Sequence, residues 1–458
     1  MRHPLLPIAL TAAVTALAAA TAHAGPVASP GQPTFVLAGG GWGHGVGMSQ
    51  WGAYGQALEG RTHEEILAVY YQGTTLEQMT PRSVRVLVAP GARSLLVRST
   101  APYRIRDAVG AAYELPAGEL VLDPALELDL DGVLTPLASP VTILPGAGAP
   151  LGLGTKTYRG RLTVSSDGAK LQAVNVVGLE QYLQGVVPGE MPKSWPSAAL
   201  EAQAVAARTY ALVSLVRSKP YDLYPDVRSQ VYYGAGAESQ ATTRAVRATR
   251  GQVLTFGGKP AQTLYFSSSG GRTRSAVDVY GNDFPYLRAV DDPWDAVPGN
   301  PNYRWQPVTL TAKKLALALK LGSPAADIVT TLGGDGRPAS VTFTTLQGAQ
   351  RTVSARDLRT LLGLRSTSFR LGVLRLAQPA AVVAGDPVPL EGVARDVEGP
   401  QLERLAPDGL WTRARKLAPR PDGSFRVVVR PPTTTTYRLA GGGVAGPAVT
   451  VTVGEAPA

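Results

Sequence analysis

Apolar and polar positions change their spacing several times along the 458-residue chain. Between Thr34 and Leu76 a Gly-rich stretch gives way to helical spacing. Ala53–Leu58 runs to Gly60, a natural residue after a helix end. Thr62 and Glu65 have the spacing of a capping box for a helix carrying Ile66, Leu67 and Tyr70. From Ser83 to Asn175 short β-type runs such as Ser83–Val88, Ser94–Val97 and Leu120–Asp123 alternate with Gly, Pro and Asp turns, so residues 82–175 read as mainly β. From Leu179 the pattern turns helical, with one long element from Pro196 to about Arg217. Strands return over Gln252–Ser267 and Ser340–Thr344, with helices at Ala312–Leu319 and Leu358–Leu364. Val382–Val453 is again short alternating runs, cut by Pro407-Asp408-Gly409 and Pro421-Asp422-Gly423. Trp411, Phe425, Tyr437 and Leu439 supply a modest core there. The pattern predicts a mixed α+β, strand-rich domain over residues 25–375 with a buried central helix. A small all-β, immunoglobulin-like sandwich follows over 381–458.

The helix after Pro196 is apolar and small nearly all round, from Ala198 to Ala207, which marks a buried element approached closely by its neighbours. Ser194 or Trp195 is the expected cap. Glu201, Gln203 and Arg208 are polar groups on that helix, and a buried charge needs a partner. Glu201 and Arg208 are seven apart on one face, and an internal ion pair is the plainest expectation for Glu201. Arg208 and Gln203 stay candidates for binding substrate.

Composition narrows the chemistry. The absence of Cys excludes disulfides, Cys-ligated zinc, iron–sulfur clusters and thiol nucleophiles. Residues 1–24 have the form of a secretory signal: Arg2 and His3, an apolar Leu/Ala run, and Ala22-His23-Ala24 as cleavage site. The mature chain then keeps two histidines, His44 and His63, so neither a metal nor another cofactor is expected. No later stretch approaches the ~18 consecutive apolar residues of a membrane span. The expected location is outside the cytoplasm, in the cell envelope or secreted. Forty-four basic against 34 acidic residues leave +10. Residues 381–458 hold nine basic and eight acidic side chains, so the excess lies before them. With no Lys/Arg runs interleaved with aromatics, nucleic acid is not the expected partner. An anionic envelope polymer fits better.

Three motifs carry candidate chemistry. Gly39–Gln50 fits neither phosphate-loop spacing, and Gly47–Trp51 falls short of a nucleophile elbow. The alternation of Gly41, Gly43, Gly45 and Gly47 with Trp42, His44, Val46 and Met48 predicts closely packed backbone with every second side chain facing one way. Ser49 and Gln50 then open a helix, where hydroxyl and amide groups suit sugar oxygens. Tyr265–Thr273 offers Ser268, Ser269, Gly270, Gly271 and Thr273 as a cradle for sugar hydroxyls or an N-acetyl group. Val186–Pro192 sets the lone carboxylate Glu190 between two prolines and apolar neighbours, which raise a carboxyl pKa as a general acid requires.

With these pieces the chain resembles the stage II sporulation protein D / amidase-enhancer LytB (SpoIID/LytB) family. The matching segments are Gly41–Gly55, Val186–Pro192, Ala198–Leu212, Tyr265–Thr273, Pro285–Val290 and Leu364–Phe369. In the sporulation members the Gly-Trp-Gly-His block comes near the C-terminus, whereas here it leads. The resemblance implies a protein acting on peptidoglycan glycan strands as a lytic transglycosylase, with Glu190 as the catalytic acid and base. It implies equally the alternative of a non-enzymatic wall binder that stimulates an amidase. The zinc site of some members uses Cys and cannot be carried over. Such a transglycosylase needs one carboxylate where most glycosidases need two. Asp291, Asp292 and Asp295 are the remaining clustered acids, and they leave hydrolysis open. His44 is expected to line the cleft of Glu190.

Overall fold

The computed structural model describes residues 31–80, 82–216 and 218–454. The signal read over residues 1–24 lies outside them. Strand-rich and carrying several helices, the chain is of the mixed α+β class. It divides into two compact units, Phe35–Leu371 and one that includes the segment from Gly372 onward.

Alternation builds the sheets of the first unit. In Tyr103–Arg106 the apolar Tyr103 and Ile105 are buried while Arg104 and Arg106 face water. That strand lies in an antiparallel sheet whose order runs Ser83–Ala92, Leu171–Gly178, Arg161–Ser166, Val141–Leu144, Tyr103–Arg106, Ala112–Leu115. A second sheet joins Lys156–Tyr158, Leu151–Leu153, Leu95–Ser99 and Gly118–Leu122. The first-sheet strand Leu171–Gly178 runs straight into a helix, so the sheet fixes where that helix starts.

Five helices form the other half of the core: α1 (Gln50–Leu58), α2 (His63–Tyr70), α3 (Leu179–Glu190), α4 (Ser197–Val213) and α5 (Gln240–Ala248). α4 packs against the other four. Its residues Ala199, Leu200, Ala202 and Ala204–Ala207 are buried, and the small side chains let neighbouring backbones close in. The Thr62–Glu65 capping box is present in full at α2, and Ile66, Leu67 and Tyr70 point into the core.

α1 begins at Gln50, as expected, with Ser49 capping it by accepting from the Gly52 amide. One boundary differs from expectation: α4 starts after Pro196 with no side-chain cap and stops at Val213. α3 runs through Pro188 to Glu190. Pro188 sits in the last turn, where the missing amide costs one hydrogen bond, and Met191 leaves in extended conformation.

In the second unit, Val388–Arg395 pairs antiparallel with Val373–Leu376 on one side and Ser424–Val429 on the other. Another sheet has the order Trp411–Lys416, Gln401–Leu405, Thr435–Gly441, Val444–Val451. Leu390, Leu402, Phe425, Tyr437, Leu439 and Val451 are buried. Among the described residues no helix is long and apolar enough to cross a membrane, and no group of three or more potential metal ligands occurs.

Candidate active site

Glu190 is the last residue of α3, delivered there by the strand Leu171–Gly178. Its Oε1 accepts the Val231 amide at 3.0 Å. The Tyr265 hydroxyl and the Gln50 side-chain amide stand close enough to the carboxyl to favour its charged form. Burial raises its pKa above the ordinary carboxylate range, and these three donors oppose the shift without cancelling it. Tyr182 and Tyr210 stand close enough to feel its charge. Gln230 ties them in: its Nε2 donates to the Tyr265 hydroxyl at 2.9 Å and its Oε1 accepts from the Tyr182 hydroxyl at 3.1 Å.

Gln50 comes from the other end of the unit's sequence and completes the site. Its Nε2 donates to Gln203 Oε1 at 3.3 Å, linking α1 to α4. Gln203 is buried and its own Nε2 has no partner. Gln50 and Gln203, chosen from sequence, thus lie together beside Glu190. Next to Gln50 on α1, the half-buried Trp51 and Tyr54 cluster with Trp195, with ring centroids 4.7–5.5 Å apart.

Other sequence candidates go elsewhere. Arg208 is 1% exposed and engaged inside the fold. Its Nε and Nη2 each hold a Glu180 carboxylate oxygen at 2.8 Å, and it donates to the carbonyls of Val246 and Gln252. Its donors therefore clamp α3, α4 and α5, and none is left over for substrate. The expected pairing of Glu201 with Arg208 is absent, for Glu201 lies 3.2 Å from His63 Nδ1.

The Ser268–Thr273 cradle is turned inward. Asp295 accepts from Ser49 Oγ at 2.9 Å, from Ser268 Oγ at 2.8 Å and from the Gly270 amide at 2.8 Å. Ser269 Oγ accepts the Gly271 amide, and Thr273 Oγ1 accepts the Val290 amide. Ser49, Ser268, Ser269, Gly270, Gly271 and Thr273 therefore shape the Gly-rich loop and do not offer free sugar-binding groups. Asp292 is fully enclosed, with the Tyr70 hydroxyl on Oδ1 at 2.9 Å and nothing on Oδ2. Burial and the neighbouring Asp295 raise its pKa to about 7. Asp291 is exposed and paired with Arg272.

Gly41, Gly43, Gly45 and Gly47 all adopt positive φ; Gly41, Gly43 and Gly47 lie against the 264–270 segment and Gly45 against the Arg274 side chain. The side chains between them do not share one side: Val46 and Met48 are fully buried and Trp42 is half exposed. Positive φ at every second residue breaks the simple alternation of a strand. His44 takes the Val46 amide on Nδ1 at 3.1 Å and bonds the Tyr265 carbonyl. Burial, with Arg359 adding to it, lowers its pKa to about 4. It lines a 520 Å³ cavity whose walls do not include Glu190. Tyr265 stands by both His44 and Glu190, with its main chain near one and its hydroxyl near the other.

Sequence reasoning missed Val231, Gln230, Tyr182 and Tyr210. These residues lie in segments without motif spacing, and nothing local signals that they converge.

Residues 167–256 match a family profile described as "Stage II sporulation protein". The chain is 32% identical over 215 residues to stage II sporulation protein D of Bacillus subtilis (strain 168), covering 43% of this chain and 61% of that protein. The homonymous protein of Bacillus amyloliquefaciens gives 32% over 216 residues, with the same coverages of 43% and 61%. The amidase enhancer of Bacillus subtilis (strain 168) is 38% identical over 138 residues, 30% of this chain and 18% of that protein. The chain thus spans about 60% of the length of the sporulation proteins it matches. No solved structure matches it significantly. The segment that carries Glu190, Gln203 and Arg208 is thus the one that matches the stage II sporulation protein profile, in line with the motifs.

Proposed function

We propose that the protein is an exported lytic transglycosylase of peptidoglycan, with Glu190 as both acid and base. The observation that carries this reading is the setting of Glu190. It is a single carboxyl whose pKa burial raises above the ordinary carboxylate range, oriented by the Val231 amide, and flanked by the Tyr265 hydroxyl and the Gln50 amide. The groups that shift its pKa are a backbone amide, a hydroxyl and a side-chain amide, with no second carboxylate among them. Asp292 and Asp295 are occupied beneath the Gly-rich loop, which weighs against a two-carboxylate hydrolase.

Protonated Glu190 donates to the glycosidic oxygen as the C1–O bond breaks. The C6 hydroxyl of the same muramyl residue then attacks C1, and the Glu190 carboxylate takes its proton. A 1,6-anhydro end forms and the acid is regenerated, with no water consumed. Trp51, Tyr54 and Trp195 supply an aromatic face, adjoining Gln50 on α1, on which sugar rings can stack. The segment from Gly372 onward serves in this reading as an immunoglobulin-like spacer or wall-binding module.

Wild type incubated with glycan strands stripped of stem peptides should release fragments one water lighter than their reducing-end counterparts, and Glu190→Gln should release none. Reducing-end products would make the enzyme a hydrolase. A second reading rests on the similarity to the amidase enhancer. A protein that cleaves neither strands nor sacculi but accelerates a purified wall amidase would establish it.

A further inference from the structure

A cavity of 460 Å³ opens at the start of α3, at the far end of that helix from Glu190. The twelve-residue helix holds the two roughly 17 Å apart, so the cavity lies outside reach of the reacting carboxyl. Three arginines converge on it from two parts of the chain: Arg82, just ahead of the strand Ser83–Ala92, and Arg247 and Arg250 at the end of α5. All three are exposed, and among the described residues their side chains have neither a carboxylate nor a carbonyl partner. The lining's one carboxylate, Glu180, is spent. Both of its oxygens hold Arg208, and Oε1 also takes the Gly251 amide. Gln181 and Gln184 line the same space, and their side-chain amides are likewise unpartnered among the described residues.

A cation in the last turn of a helix favours the macrodipole, which accounts for Arg247. It does not account for Arg82, which comes from another part of the chain. Nor does it account for Arg244, also exposed, which extends the basic row one turn back along α5. Like charges at this spacing repel, and α5 carries no acidic side chain to offset them. The fold thus keeps a concentration of positive charge that it does not neutralise itself.

The form of the cavity narrows what could neutralise it. None of the exposed large apolar side chains lies on α5 or in the lining, where Leu179 and Val246 are buried, so there is nothing to enter a bilayer. No aromatic ring occurs in either, so a nucleobase would find no stacking face. What remains is a concave surface of guanidinium and amide donors, and guanidinium holds phosphate oxygens by paired bonds. A row of cations further suits a ligand that repeats its charge along a chain. We propose that the cavity at the start of α3, through Arg82, Arg247 and Arg250, binds a phosphodiester polymer of the cell envelope and so holds the protein on the wall. Only the exported location is shared with the lytic reading, and binding here needs no cleavage at Glu190.

The test is equilibrium binding of the full mature chain, at one ionic strength, to purified glycerol-phosphate wall polymer, to a polyuronate of similar length and to vesicles of anionic phospholipid. The glycerol-phosphate polymer should bind most tightly. Arg82→Gln/Arg247→Gln/Arg250→Gln should bind it about tenfold or more weaker, as expected when paired charge-assisted bonds are lost. Thermal unfolding of that variant should match wild type, because none of the three side chains holds another part of the fold. The charge-matched control Arg413→Gln/Arg415→Gln/Lys416→Gln should stay within about twofold of wild type. Unchanged binding by the first variant, an equal loss in the control, or tighter binding of the polyuronate or the vesicles would each overturn the proposal. Glu190→Gln should retain polymer binding in full, so a protein that holds the polymer without making anhydro ends would refute the lytic reading and leave this site standing.

Discussion

Glu190 and Asp292 are both carboxyls raised by burial, yet under the proposed function one reacts and the other only packs. Glu190 keeps donors that belong to the cleft, whereas Asp292 has the Tyr70 hydroxyl on one oxygen and none on the other. A carboxyl raised in the folded state is protonated there and ionised in the unfolded chain. Its contribution to stability is therefore complete below the unfolded pKa and is lost as pH rises through the folded one. For Asp292 that window runs from 3.8 to about 7. Asp292→Asn should therefore flatten the loss of thermal stability between pH 4 and 8, a difference on the order of a few kcal/mol at the upper end. Thermal unfolding of both proteins across that range measures it, and parallel curves would refute it. For Glu190 the same sign appears in the rate. The acid form is required, so kcat should fall as pH rises through a value above 4.5, and Gln50→Ala should shift that limb upward by removing a donor to the carboxylate. Glu190 was readable from its proline-flanked, apolar context. The three groups that set its pKa were not, because they come from residues 50, 231 and 265 and meet only in the fold.

At the scale of elements, local chemistry was legible wherever it closes on itself. The Thr62–Glu65 box, the buried α4 and the strands of 82–175 follow from spacing alone. What spacing cannot give is the partner across the fold. Arg208 looked like a binding residue because a cation on an Ala-rich helix needs an explanation; the explanation is Glu180, 28 positions earlier on α3. This clamp is fully formed inside the core, so removing one side leaves the other charge buried. Arg208→Met should cost about 3–5 kcal/mol in denaturant unfolding. Arg208→Lys should recover little of it, since a point charge cannot hold both oxygens. The Gly-rich loop gives a second case. A Cβ at Gly47 would lie 2.0 Å from the Leu264 carbonyl oxygen at φ +78°, so Gly47→Ala should unfold the loop, whereas Gly60→Ala meets no neighbour and bears only the strain of its own φ. Proteolysis of the two variants separates these outcomes, and equal resistance would refute the close-packing argument.

For the molecule as a whole, charge and chemistry coincide in one part of the chain. Nearly all of the +10 lies before residue 381, in the stretch that also holds Glu190, the amide pair and the arginine cavity. The 381–458 segment is almost neutral and contributes buried apolar residues to strands of the second unit. The strand-rich character of this segment could be anticipated from its short alternating runs with Pro-Asp-Gly turns. The convergence of Gly41–Gly55 with residues near 190 could not, because it rests on long-range contacts such as the Trp42 amide on the Ser268 carbonyl and Met48 beside Tyr265. If catalysis belongs to the first unit alone, a chain ending at Ala380 should fold and cleave stripped strands at a rate within a few-fold of the full protein. Its attraction to whole wall should still weaken steeply with salt, because the basic side chains that set that attraction remain. Measuring both properties on one preparation decides the matter. A folded but inactive truncation would place part of the working site beyond residue 380, and a truncation that no longer responds to salt would move the wall-binding charge there as well.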